Sequence, residues 1–325
     1  MHYLKRVMGI ALLAAMPMVA PWAAGLEAVP AAPAANAAQA MMLGAGKAGE
    51  RVVAVGDHGI VLLSDDQGRS YRQAHGVPLS STLTAVSFVD DRHGWAVGHW
   101  GAILASEDGG ETWTVQRIDS DVDRPLFAVH FFDRQQGVAV GLWSLIMTTD
   151  DGGRTWTECT LQPQPGGSRA DLNLLSLFSD GRGAVYATAE HGKLLRSDDR
   201  GKTWRYLETG YQGSLWSGAV LPDGRLLVGG QRGTLLRGTP DASTWQRIPL
   251  TSRSSITAIQ AEGKRVLVAG LDGLLVNSQD GGTTFGEARS DDGVSLTAAL
   301  MQGDGRTLLF SRHGVSEPPP DRNSR

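Results

Sequence analysis

Short apolar runs separated by tight-turn residues fill most of the chain, which reads as strands throughout. One unit displays the pattern in full. TLTAVSFV (Thr82 to Val89), GWAVG (Gly94 to Gly98), AILAS (Ala102 to Ser106) and TWTVQRI (Thr112 to Ile118) are predicted as strands a, b, c and d of one sheet. Gly, Asp and Asn stand in the reversals between them, as tight turns require. Strand b is a nearly continuous apolar run, as a strand buried on both faces should be, whereas strand d mixes in charge like an outer edge.

The unit recurs. Aligned on the small residue that closes strand b, it is found at Gly56, Gly98, Gly141, Ala189, Gly230, Gly270 and Ser311, with spacings of 42, 43, 48, 41, 40 and 41 residues. A period near 40 made only of short strands predicts an all-β chain, a seven-bladed β-propeller built from four-stranded repeats. The ring is expected to span 44–315, after an Ala/Pro-rich lead-in at 26–43 and before a polar tail at 316–325. Seven a–b pairs are visible but only six clear c–d pairs, because the last unit runs SLTAALMQ, TLLFSRHG and then VSEPPPDRNSR. Either the lead-in near 26–41 supplies a strand to blade seven, or that blade is short.

The predicted c–d turns share a box, Ser/Thr-x-Asp-x-Gly-x-Thr-Trp/Phe. It occurs as Ser106, Asp108, Gly110 and Trp113, then with Asp151, Gly153 and Trp156, with Ser197, Asp199, Gly201 and Trp204, and with Ser278, Asp280, Gly282 and Phe285. An earlier copy has Ser64, Asp66 and Gly68 and closes on Tyr71, while GTPDASTW has lost the Ser, Asp and Gly positions and kept Thr244 and Trp245. Every position has a structural use: the carboxylate accepts backbone N–H groups, the glycine takes a positive φ, the hydroxyl closes the loop and the aromatic packs into the blade. Calcium is the competing reading, but the spacing is not that of an EF-hand and no distal glutamate follows. Near-copies around a ring are expected to be scaffold, with no metal and no cofactor.

Bulk properties narrow the class further. The 42 glycines against five tyrosines and seven phenylalanines suit many tight turns. Lys5 and Arg6 precede an apolar run from Val7 to Ala20 and small residues Ala23, Ala24 and Gly25, so residues 1–25 are expected to be a cleaved signal peptide and the protein periplasmic or secreted. The formal charge is −4, and losing Lys5 and Arg6 makes the remainder more acidic, which argues against bulk nucleic-acid binding. Cys159 is the only cysteine, so no intramolecular disulfide is possible. A half-buried structural thiol is expected there.

The repeated box resembles the Asp-box, or bacterial-neuraminidase (BNR) repeat. The stretch HGWAVG with GAILASEDGGETW resembles the photosystem II assembly and stability factor family, and the likeness runs from about Val52 to Gly314. That resemblance implies an exported or lumenal seven-bladed propeller that helps to assemble a membrane complex of photosynthesis. Its implied partner is a protein, an exported segment of such a complex, and its implied role is non-enzymatic scaffolding. A monomer is expected.

If the boxes lie on one face, the b–c turns and d–a loops form the other, where propellers usually present their binding surface. The b–c turns differ from blade to blade where the boxes agree, and they carry Trp100, Trp143, Arg232 and Arg312. The d–a loops add Arg124, Arg169 and Arg253. Tryptophan with arginine is the composition of interaction hot spots, so these seven are the candidate partner-binding residues. His58, His191 and His313 recur on the same turns but on blades one, four and seven, so one ion cannot be held by all three. Sialidases also use Asp-box propellers, which makes a glycoside hydrolase or a carbohydrate-binding module the alternative. Arg247 to Pro249, Tyr211 with Glu208, and Asp57 are the residues it would need, and no arginine triad accompanies them.

Overall fold

The computed structural model describes residues 29–164, 168–290 and 292–316; the expected signal peptide and the tail from 317 lie outside them. Seven antiparallel sheets follow one another in chain order, six of four strands and a last one of three. Blade one is Met42–Ala48, Arg51–Gly56, Val61–Ser64 and Arg72–Gln73; blade two is Leu83–Phe88, Gly94–Gly98, Ile103–Ser106 and Thr114–Arg117. Blade three is Leu126–Phe131, Gly137–Gly141, Ile146–Thr149 and Thr157–Glu158; blade four is Leu174–Ser179, Val185–Ala189, Lys193–Ser197 and Arg205–Glu208. Blade five is Leu215–Val220, Leu226–Gly230, Thr234–Gly238 and Trp245–Ile248; blade six is Ile256–Glu262, Arg265–Gly270, Leu274–Ser278 and Gly286–Arg289. Blade seven is Leu296–Met301, Thr307–Ser311 and Gly314–Ser316. The ring therefore begins two residues before the position read from the sequence and ends one after it.

The burial of each strand follows its composition. The five residues Gly94–Gly98 are all buried, and so are Gly137–Gly141 and Val185–Ala189, while the d strand Gly286–Arg289 is exposed throughout. The core is divided into seven apolar seams, one between each pair of neighbouring blades. In the seam of blades one and two, Val53, Val55 and Leu63 meet Ala96, Leu104 and Trp113. The aromatic of each box enters the seam with the preceding blade: Tyr71 between seven and one, Trp156 between two and three, Trp204 between three and four, Trp245 between four and five, Phe285 between five and six. The seam of blades six and seven is aliphatic, with Leu267, Leu275, Leu296, Met301 and Leu309. Blade seven has no d strand among the described residues, and so brings no aromatic to it.

Innermost strands touch in cyclic order, blade seven against blade one included. A threonine hydroxyl staples several of these joints to a carbonyl of the next blade. Thr84 donates to Leu126 O at 2.6 Å and Thr257 to Leu296 O at 2.8 Å; Thr297 closes the ring by donating to Met42 O. The described part of the lead-in forms no strand of blade seven, which has three strands among the described residues. Instead the lead-in lies along blade one, where Ala31 N–H donates to Val77 O at 3.0 Å and Ser80 N–H to Val29 O at 2.6 Å. One 3-10 turn, Ala37–Gln39, then packs on blade seven at Gly314. A Cβ on Gly314 would come within 1.9 Å of Ala38 O, so glycine is required for that approach.

Candidate functional site

The c–d turns form closed hydrogen-bond units. In five copies the Ser or Thr hydroxyl donates to the aspartate at 2.7–2.9 Å and accepts the N–H of the glycine four residues on at 2.7–3.0 Å. The second carboxylate oxygen accepts the hydroxyl of Ser70, Thr112, Thr155, Thr203 or Thr284 at 2.6–2.7 Å. The backbone N–H and hydroxyl of Thr155 hold the Asp151 carboxyl down to about 2, and the same two groups of Thr284, its hydroxyl first, hold Asp280 well below the usual range. The glycines face the preceding blade: a Cβ on Gly110 would sit 3.3 Å from Val53 and Leu63, and one on Gly201 2.8 Å from Val138. These donors and acceptors serve the turn, the carbonyls of Gly152 and Gly282 accept from side chains of the preceding blade, and the aromatic rings lie in the seams.

The copy at Gly238 to Trp245 keeps more of the box than alignment suggests. Thr239 Oγ1 donates to Asp241 at 2.5 Å, and Asp241 accepts the Ser243 N–H at 3.2 Å, one residue out of register with the other copies. Ala242 takes the glycine position at φ +59°, and the Trp245 indole N–H donates to its carbonyl at 3.1 Å. The Thr-x-Asp spacing was the available signal, hidden by the slip of one residue.

On the opposite face the b–c connection has one backbone form and varied side chains. In blade one, Ile60 N–H donates to Asp57 O at 3.0 Å around His58 at φ +54° and Gly59 at φ +70°, a reversal with two left-handed central residues. Hairpins favour this turn because it matches strand twist, and its central positions favour Asn, Asp and Gly. Here the first central residue is His58, Trp100, Trp143, His191, Arg232 or Asp272, each at φ between +52° and +59°. The second position is glycine except in blade three, where it is Ser144 at φ +57°; a Cβ on Gly233 would meet Ser252 O at 2.3 Å. The left-handed conformation costs a residue with a side chain about 1–2 kcal/mol. Bulky residues held there on blade after blade mark a surface that presents side chains.

Polar residues leading into the next blade cap these turns. Trp100 N–H donates to Asp123 Oδ1 at 2.6 Å, Trp143 N–H to Asn173 Oδ1 at 3.1 Å, and Arg232 N–H to Ser255 Oγ at 3.3 Å. Asp123 also pairs with His99 at 2.9 Å. These capping residues are absent from the sequence-based candidates; their signal is a polar side chain just ahead of each strand a.

The seven candidates separate into two sectors of this face. On blades two to four, Trp143 is 53% exposed beside a d–a loop in which Val122 is 47% exposed, and Trp100 is half-buried. The arginines of that sector have acidic neighbours: Arg124 pairs with Glu158 at 2.9 Å and Arg169 lies 3.8 Å from Asp171. On blades five to seven, Arg232, Arg253 and Arg312 are exposed. Arg312 Nε donates to His313 Nε2 at 3.1 Å, and no carboxylate pairs with any of the three among the described residues.

The residues a glycosidase would need are committed elsewhere. The Tyr211 hydroxyl donates to Gln231 O at 3.1 Å, Glu208 is held by Lys193 at 2.5 Å, and Asp57 accepts the Thr82 hydroxyl at 2.7 Å. Arg247 lies on an outer d strand. Cys159 is partly buried with its sulfur 3.3 Å from the Thr148 hydroxyl.

A seven-bladed ring with Asp-box turns on one face and varied side chains on the other defines the class: a BNR-type propeller. Within that class, the family model described as photosynthesis system II assembly factor YCF48 matches residues 72–249. The photosystem II assembly protein Ycf48 of Thermosynechococcus vestitus is 32% identical over 260 residues, covering 66% of this chain and 74% of the relative. The chain belongs to the Ycf48 family of photosystem II assembly factors. Two solved structures share its fold: YCF48 bound to a D1 peptide, with TM-score 0.71, 20% identity and coverage of 86% and 92% of the two chains, and YCF48 from Cyanidioschyzon merolae, with 0.68, 18%, 86% and 95%.

Proposed function

We propose that this chain is an exported assembly factor that binds a segment of a photosystem II membrane protein on its b–c and d–a face and catalyses no reaction. Family membership supports the assembly role, and the D1 peptide held by a relative of the same fold supports a peptide segment as the partner. The observation that carries the choice of face is one turn backbone that presents histidine, tryptophan, arginine or aspartate, according to the blade. A surface that recognises one asymmetric partner needs such differences, whereas the repeated boxes offer five near-identical turns. Export rests on the leader at residues 1–25, which agrees with a partner segment outside the cytoplasm.

Pull-down from a membrane extract with wild type and a Trp100→Ala, Arg232→Ala double variant tests the assignment. Loss of the captured membrane protein by the folded variant is expected. Equal recovery of the same proteins by both would overturn it.

A further inference from the structure

A cavity of about 470 Å³ opens between blades three and four on the face of the a–b and c–d turns, away from all seven candidate partner-binding residues. It is lined by His130, Phe131 and Phe132 from blade three and by Ser179, Gly181, Arg182, Gly183 and Arg200 from blade four. We propose that this cavity is a binding site for a small aromatic carboxylate, a ligand with one flat apolar ring and one negative charge.

The ring specificity comes from the wall. His130 and Phe132 stand edge to face with centroids 4.8 Å apart, and the Arg200 guanidinium lies 5.6 Å from the centroid of the Phe132 ring. Such a corner accepts a third aromatic ring in stacked or edge-on contact. The charge specificity comes from what the neighbouring groups have left over. Arg200 is committed to Asp133 at 2.9 Å and to Gln136. Asp133 also accepts the N–H groups of Gln135 and Gln136, Asp180 Oδ1 accepts those of Arg182 and Ala184, and neither aspartate is among the residues that line the cavity. The exposed guanidinium of Arg182 has no hydrogen-bonded partner among the described residues, which leaves one cation at the mouth.

His130 supplies the remaining polarity. Burial pushes its imidazole down to about 4, and no hydrogen bond perturbs it, so at neutral pH it is an uncharged ring with a free N–H or nitrogen. A half-buried polar side chain without a partner gains most from a ligand that completes its hydrogen bonding. The volume falls in the range of small-molecule sites and suits a ring of benzoate size with room for a substituent.

Benzoate is the probe, titrated into the folded chain by calorimetry and by NMR of the His130 ring, assigned through its loss in His130→Phe. Expected is saturable binding with a dissociation constant on the order of 1 mM or tighter. Arg182→Ala, a change at an exposed side chain, should weaken it at least about tenfold, as should replacing benzoate by uncharged benzamide or by acetate. Absence of saturable binding would overturn the proposal. Equal affinity for benzamide or in Arg182→Ala would overturn the charge assignment, and equal affinity for acetate the aromatic one.

Discussion

Both faces of this ring are built from tight reversals that place two successive residues at positive φ, the second of them mostly glycine, yet they differ at the first. On the c–d face the first is Gln67, Gly109, Gly152, Arg200 or Gly281, glycine in three of the five, and the second is Gly68, Gly110, Gly153, Gly201 or Gly282, where the neighbouring blade stands in the place of a Cβ. On the b–c face the first left-handed position holds His58, Trp100, Trp143, His191, Arg232 and Asp272. Packing dictates the residue in the first case. In the second, nothing in the fold calls for a tryptophan or an arginine, and the backbone conformation disfavours both. Repetition therefore marks the parts that hold blades together, and departure from repetition marks the parts free to recognise something else.

The largest test of that contrast is Trp113→Ala. It empties a buried ring from the seam of blades one and two, and a loss of about 3–5 kcal/mol in denaturant unfolding is expected. A loss under about 1 kcal/mol would remove the box aromatic from its role in the seam. Gly110→Ala comes next. At φ +88°, with Val53 and Leu63 at 3.3 Å, it combines strain with crowding, and about 1–3 kcal/mol of destabilisation is expected. Gly281→Ala, at φ +72° in open space, meets the strain without the crowding and should cost less.

Acid probes the boxes together. The Asp151 carboxyl titrates at about 2 in the fold and near 4 when unfolded. The unfolded chain thus takes up the proton first, so this stabilisation is complete above about pH 4 and is lost as pH falls through about 2. Asp151→Asn should flatten that part of the stability profile; an unchanged profile would mean the hydrogen bonds do not favour the ionised form. The smallest effect belongs to the other face. Arg232→Gly removes an exposed side chain from a left-handed residue, and stability should change by less than about 1 kcal/mol, on the stabilising side. A clear destabilisation would show that the arginine packs rather than presents.

Blade number, strand order and the structural role of the box were legible because each is repeated, so six or seven noisy copies reinforce one pattern. The period of Gly56, Gly98 and Gly141 is such a signal, and the strand Gly94–Gly98 occurs as read. What was not legible depends on single contacts between distant segments. The lead-in lies on blade one through hydrogen bonds of Val29 and Ala31, and nothing in an Ala/Pro-rich stretch specifies that partner. The pairing of Arg124 depends on Glu158, 34 residues on, whereas Arg169 lies near Asp171 of its own loop and Arg232, Arg253 and Arg312 are exposed. His130 reads as one more residue of an innermost strand until the a–b turn of blade four is placed across from it.

The direct test of the division between faces is titration of a D1-derived peptide into two folded variants beside wild type. Trp100→Ala, Arg232→Ala should lose at least about tenfold in affinity with little change in melting temperature. Ser106→Ala, which removes the hydroxyl that accepts the Gly110 N–H at 2.8 Å, should melt lower and keep its affinity. The reverse result, with affinity lost in the box variant and retained in the double variant, would contradict the assignment of scaffold to one face and recognition to the other.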